Sequence, residues 1–391
     1  MNFTGRVLHV FCGPFPTPQG TQTLVKQTCI LLAKKNVNTH LLCYSHQAPE
    51  PTILPFTVHR IPDMPPFRSE RSGPAIEKIP LDMSVAVHVR RLLNRLRPQI
   101  VHAHHYEALI ACRLADPSRH VPLVFHQHAT FAPELPTYGP SFLKMPLRAL
   151  GTAMDRGLPR LANHTFAISQ FNFQQLHQYL APDRFSLLYP PAADLPPRCS
   201  PRNHRSKPDS RVTAVYTGNL DNYQNVEALL AAIAALPGSI QQQFRLQLIT
   251  ASDTASLIPH IHKSPGCIEV IRHNSFETVW SQMCSADFAI VPRAAAGGVP
   301  IKMINALAAE IPVIINPNVF SDLSASEALL VDTASPKKLA SAIEQLVVSP
   351  ALRDKLARNS RKVIRKLFHP DSYVSHILGT YVSLNLLNSC K

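Results

Sequence analysis

With 391 residues, 45% of them hydrophobic and 16% charged, the chain is too long for one ordinary domain and too apolar to be disordered throughout. Its 39 Lys and Arg against 25 Asp and Glu leave a formal charge of +14, which favours an acidic partner: a phosphorylated ligand, an anionic lipid or nucleic acid. No zinc-finger or aromatic RNA-binding pattern accompanies that charge, so no specific nucleic-acid partner is expected, and no apolar run of ~18 residues is present to cross a membrane.

The elements begin with Arg6–Cys12, a short apolar run of strand formers. A Pro-rich loop to Gly20 follows, then helical spacing of Leu24, Val25, Cys29, Leu31 and Leu32, then a second short run, Thr39–Tyr44. Strand, loop, helix, strand at these lengths predicts a βαβ unit and a parallel sheet. The alternation continues with a helix over 85–97, a strand over 99–104, a helix over 106–116 and a strand over 121–126. A helix over 145–163 and a strand over 165–169 complete an α/β domain predicted to span 1–195.

Residues 196–211 are Pro, Ser and basic residues with almost no apolar content, a linker composition. The βα alternation restarts with strands at 212–216, 245–250, 267–271, 288–291 and 312–315, and helices at 225–236, 275–284, 301–309, 339–348 and 352–367. This predicts a second domain over 212–372, followed by a last helix over 373–387. The eight cysteines are scattered without a CxxC pair, which suits reduced thiols, and the start runs into a strand without a signal-peptide pattern. The expected location is cytoplasmic, with peripheral contact to the membrane.

In open parallel sheets ligands bind beyond the carboxyl ends of the strands, so the loops there are where chemistry is expected. Gly20 opens a helix after the first strand and lets backbone amides approach a phosphate. His126 and His128 end an apolar strand, where His128 can hold or polarise a hydroxyl; His102, His104 and His105 form a similar group. These five histidines lack an interleaved Asp or Glu, and no metal site is expected from them. The strongest pattern is later. Gly218 and Asn219 follow the strand at 212–216, and Pro292-Arg293 leads through Gly298 and Val299 to Pro300, a favourable first helical residue. Amides of Gly298 to Ile301 would meet an anion, Lys302 adds a charge in the same turn, and Asn305 on about the same face suits a sugar hydroxyl.

Together these segments resemble the group-1, family-4 glycosyltransferases of the GT-B fold, over nearly the whole chain. The most specific parts of the likeness are Ser285–Pro292 and Gly298–Pro312. The resemblance implies two Rossmann-like domains facing each other across a cleft, with the C-terminal helix (373–391) crossing back to the first. It implies a donor nucleotide-diphosphate sugar on the second domain and a glycan or lipid-linked acceptor on the first. The base would rest near Arg272 and His273, the diphosphate near Gly20, Gly218 and Pro300, and His128 near the reacting sugar. Transfer would retain anomeric configuration, with no metal or other cofactor, in building cell-envelope polysaccharide or glycolipid.

The sequence departs from the family pattern in several places. Gly297 and Asn305 stand where the family carries two glutamates, and Asn219 and Gln224 stand where it carries Arg and Lys. Arg293 and Lys302 are the cations available to replace the latter pair, whereas Glu310 brings a carboxylate into the segment. The same departures suit a nucleotide-sugar-binding protein of weak activity, and the fold also accommodates nucleotide-sugar epimerases and hydrolases. Two basic stretches remain: the linker, and the helix over 352–367, whose alternating cations and apolar residues suit an anionic membrane.

Overall fold

A computed structural model describes residues 3–17, 20–45, 53–64, 77–193, 195–196, 211–264, 266–272, 275–294 and 296–389. The chain forms two compact units, Met1–Pro191 with Pro370–Lys391, and Ala192–His369.

The first unit runs β1 (Arg6–Pro14), α1 (Gly20–Lys34), β2 (Asn38–Tyr44), β3 (Thr57–Arg60), α2 (Lys78–Leu96), β4 (Ile100–His104), α3 (His105–Ala115), β5 (Leu123–Gln127), α4 (Phe131–Glu134), α5 (Lys144–Gly157), β6 (His164–Ala167), α6 (Gln170–Leu176) and β7 (Phe185–Leu187). Its seven-stranded parallel sheet has the order β3-β2-β1-β4-β5-β6-β7. The order reverses between β1 and β4, which is where a doubly wound sheet opens a ligand crevice. The strands are buried nearly continuously, as expected of a sheet covered on both faces.

The second unit runs β8 (Val212–Thr217), α7 (Val226–Ala234), α8 (Gly238–Gln243), β9 (Phe244–Thr250), α9 (Ile258–Ile261), β10 (Ile268–Arg272), α10 (Phe276–Ser285), β11 (Phe288–Val291), α11 (Ile301–Ala308), β12 (Val313–Ile315), β13 (Leu329–Leu330), α12 (Pro336–Val348) and α13 (Pro350–Leu367). Its sheet, β10-β9-β8-β11-β12-β13, repeats the first unit's order, with the reversal between β8 and β11. Both units are therefore Rossmann-like, as the βα alternation predicted. The last helix, α14 (Pro370–Ser389), packs within the first unit against α1.

Local differences have local causes. The strand expected over 165–169 stops at Ala167, because Ser169 turns to cap α6, its Oγ accepting from the Asn172 amide at 3.2 Å. The helix expected over 145–163 ends at Gly157 and continues only as a 3-10 turn, Leu158–Leu161, that contains Pro159. The short strands β3, β7 and β13 carry too few residues to show a period and were not expected. On α13, Leu356 and Val363 are buried in the second unit and mainly the cations face outward. Its apolar stripe is packed away rather than offered to a membrane. No described helix is long and apolar enough to cross one.

Candidate functional site

In the second unit, β8 ends at Thr217 and the chain turns at Gly218 with φ +128, a conformation L side chains rarely adopt. The space is also filled: a Cβ there would lie 2.8 Å from Lys302 Nζ. Lys302 reaches that point from the first turn of α11. Its ammonium donates to Gln224 Oε1 at 2.9 Å and lies over the Tyr216 ring, 4.1 Å from the centroid. Burial, then the charge of Arg293, lowers its pKa to about 7.

The neighbouring side chains form one network. Gln224 Nε2 donates to Asn219 Oδ1 at 2.9 Å, Asn219 Nδ2 to Asp221 at 2.7 Å, and the Tyr216 hydroxyl to the Asn219 carbonyl at 2.5 Å. Arg293 lies over the Tyr223 ring at 5.2 Å. The Pro292 carbonyl accepts from Asn225, whose side chain also reaches the Thr333 carbonyl, so the strand ends of β8 and β11 are tied together. Gly297 takes φ +131, and residues 297–300 are buried as the chain enters α11 at Pro300. The first amides of a helix, here those of Ile301 and Lys302, have no acceptor one turn back and are offered to an anion. Asn305 follows one turn later, half-buried.

The structure therefore gathers Gly218, Asn219, Pro292, Arg293, Gly298, Val299, Pro300, Ile301, Lys302 and Asn305 at the carboxyl ends of β8 and β11. Arg272 is elsewhere, on edge strand β10, where it pairs with Asp253 at 3.1 Å and Thr254 at 3.4 Å. His273 lies outside the described residues. Glu310 is past the opposite end of α11 from Pro300, ~12 Å of helix away. Arg361 holds it there with two hydrogen bonds of 2.5 and 3.1 Å.

In the first unit Gly20 is the exposed first residue of α1, beyond the carboxyl end of β1. His128 follows β5 and belongs to a ladder of imidazoles. Parallel register places His9 beside His102 and His104 beside His126. His102 and His104 stack with centroids 4.6 Å apart, and His126 and His128 with centroids 4.7 Å apart. His9 Nδ1 bonds His104 Nε2 at 2.9 Å, and His104 Nδ1 bonds His128 Nε2 at 3.1 Å. In a neutral His104 one nitrogen donates and the other accepts, so this chain fixes the tautomers of its neighbours together.

Burial lowers all five of these pKa values, to about 3 for His9 and for His126, so the ladder is neutral. His128 alone keeps any surface, 6% of it. Beside it His105, at φ +74, opposes burial by donating to Glu107 at 2.8 Å; its pKa is raised, while that of Glu107 falls to about 2. In two trios, His9–His102–His104 and His104–His126–His128, one nitrogen from each ring lies within 4.8 Å of the others. The rings thus sit close enough to share a cation. His9 was missed by sequence reasoning, as were Tyr216 and Tyr223, although these two stand beside the marked Gly218 and Gln224.

Residues 18–192 match the family described as Glycosyltransferase Family 4, and residues 211–349 match Glycosyl transferases group 1, so that the two take in most of the chain. The chain belongs to the group-1, family-4 glycosyltransferases. Its similarity to solved structures extends over their full length at low identity. Sucrose-phosphate synthase from Thermosynechococcus elongatus is 16% identical, with 97% of this chain and 99% of that one covered at a TM-score of 0.77. Anabaena HepE in complex with UDP-glucose is 13% identical, with 97% and 100% covered at 0.70. α,α-Trehalose 6-phosphate synthase from Burkholderia multivorans is 12% identical, with 99% and 98% covered at 0.72. No curated protein matches the sequence. This glycosyltransferase therefore has the GT-B architecture.

Proposed function

We propose that this glycosyltransferase uses its second unit to hold a nucleotide-diphosphate sugar and transfers the sugar, with retention, to a glycan or lipid-linked acceptor of the cell envelope. The observation that carries the reading is Lys302. Where the family carries a lysine, this chain has Gln224, and the Lys302 ammonium lies 2.9 Å from that glutamine. A cation has been restored at the strand end from a different element.

When the bond between anomeric carbon and phosphate oxygen breaks, negative charge grows on the leaving diphosphate. Lys302, Arg293 and the first amides of α11 are the groups assigned to stabilise that charge, and preorganised donors of this kind supply the largest share of many rate enhancements. The acceptor hydroxyl bonds to the anomeric carbon and passes its proton to the departing diphosphate oxygen. On the first unit, neutral His128, held by His104, is available to a hydroxyl by hydrogen bonding rather than by charge. Asn305 replaces a carboxylate and bonds the donor as a neutral group. The enzyme works at the cytoplasmic face of a membrane. UDP sugars are the first donors to test, since HepE was solved with UDP-glucose.

Thermal unfolding with a panel of nucleotide sugars tests the donor site. A true donor at ~100 times its Kd should stabilise the protein by about 2.7 kcal/mol, and Lys302→Ala should abolish that shift. No shift with any donor, or one that survives Lys302→Ala, would overturn the reading. Shift without turnover favours the second reading, a binding protein of weak activity, for which the Asn219 and Gln224 substitutions speak. In that case Asn219→Arg with Gln224→Lys should create turnover.

A further inference from the structure

We infer that His104, His126 and His128 of the first unit form a binding site for a zinc ion, a metal of the class that imidazole nitrogen ligates. The site follows from strand register. Residues two apart on a strand share a face, so His102 and His104 on β4, and His126 on β5 with His128 just after it, turn to the same side of the sheet. His104 stands directly opposite His126. One nitrogen from each of the three rings lies within 4.8 Å of the others. Two nitrogens on one tetrahedral zinc, at bonds of about 2.0 Å, stand about 3.3 Å apart. His104 Nδ1 and His128 Nε2 are already at 3.1 Å. The third ring then has at most about 1.5 Å to close.

That third ring, His126, is the one in want of a partner. It is fully buried, yet neither its Nδ1 nor its Nε2 has a hydrogen bond. A buried ring nitrogen without a partner has lost its water for nothing, and a metal ion gives one of the two a partner. Aromatic rings wall it in, those of Phe166 and Tyr373 at centroid distances of 5.8 and 6.3 Å. His104 is steadied from behind, its Nε2 bonded to His9 Nδ1 at 2.9 Å. With Nδ1 on the ion, Nε2 carries the proton and donates to His9, the outer hydrogen bond by which ligating histidines are oriented. Each ring keeps one proton on the nitrogen turned away from the ion, so none is released.

Donor type selects the ion. Among the described residues no carboxylate bonds a ring of the trio, and Glu107, the nearby acid, is engaged by His105 at 2.8 Å. An all-imidazole set offers Mg²⁺ and Ca²⁺ no oxygen, whereas zinc accepts nitrogen ligands in a tetrahedron. The missing carboxylate, which spoke against a metal in the sequence, thus selects the kind of metal. His128, the one ring with any surface, is the entry side and leaves the fourth position to a solvent ligand. Where His128 serves a hydroxyl as proposed, the ion takes its nitrogen and zinc inhibits transfer; binding itself needs neither nucleotide nor turnover.

The test is a titration of the untagged full chain, stripped with a chelator, with Zn²⁺ against a chromophoric zinc indicator. Saturable binding of a single ion is expected at about micromolar Kd or tighter, with a rise in melting temperature that chelator reverses. Co²⁺ in its place should show the visible bands of tetrahedral coordination, a readout on wild type that depends on no variant. His126→Gln and His128→Gln should each weaken binding about a hundredfold or more. The chain has 19 histidines, so His120→Ala with His262→Ala, both on exposed rings, is the control and should leave binding unchanged. His128→Gln, at the surface end of the ladder, should keep the metal-free melting temperature, which separates a lost ligand from misfolding. Absence of saturable binding to wild type, an octahedral Co²⁺ spectrum, or equal binding by His126→Gln would overturn the inference. So would binding that survives His128→Gln and is lost in His9→Gln, since the ion would then sit among His9, His102 and His104.

Discussion

At Gly218 two demands meet in one residue: a backbone at φ +128, and an absent Cβ that leaves room for the Lys302 ammonium. Lys302 itself is poised by burial near neutrality, with a pKa of about 7. Its charged form, present below that value, is the one that attracts a diphosphate, so binding weakens as pH rises and the free site loses the proton. A nucleotide sugar carries constant charge over this range. Its affinity should therefore fall about tenfold between about pH 6 and pH 8, measured by calorimetry. In Lys302→Arg the profile should be flat, because arginine does not titrate there. The motif around Lys302 was legible in the sequence because glycines, Pro300 and Lys302 fall within one short stretch. Gln224 was also marked, by the resemblance, but its 2.9 Å contact with Lys302 was not, since the two are 78 residues apart and meet only because β8 and β11 are adjacent strands.

Helix α5 shows how an element can be held by one residue. The Asp155 carboxylate accepts from the Tyr106 hydroxyl at 2.6 Å and from the Phe131 and Ala132 amides. Asp155→Ala would leave three donors unpaired, two of them buried, and should cost about 3 kcal/mol, read from urea midpoints. Asp155→Asn, which keeps an acceptor, should cost less. Sequence periodicity located this helix but could not tell which of its halves is covered, because Met145 and Leu150 are as apolar as residues that face a core. Conversely, the stripe on α13 suited a membrane by pattern and is packed in the fold. Pattern reports that a face is apolar; packing decides what meets it.

For the whole molecule, the decisive contact in the first unit comes from its last helix. Tyr381 is fully buried, with its hydroxyl 2.5 Å from His102 Nδ1, and Tyr373 bonds Thr28 at 2.6 Å. Tyr381→Ala should destabilise the first unit by about 4 kcal/mol, seen as an earlier melting transition, through lost packing and an unpaired imidazole. The sequence by itself determined the class of fold, because βα alternation with buried strands leaves few topologies and a right-handed crossover fixes their sense. It also determined the family and marked the stretch around Lys302 proposed to meet a phosphate, since these rest on contiguous residues. Only the tertiary structure decided the histidine ladder, the contact between Lys302 and Gln224, the pairing of Glu310 with Arg361 and the exposed start of α5. Each of these depends on strand register or on which surfaces meet, and neither quantity is carried by any local run of residues.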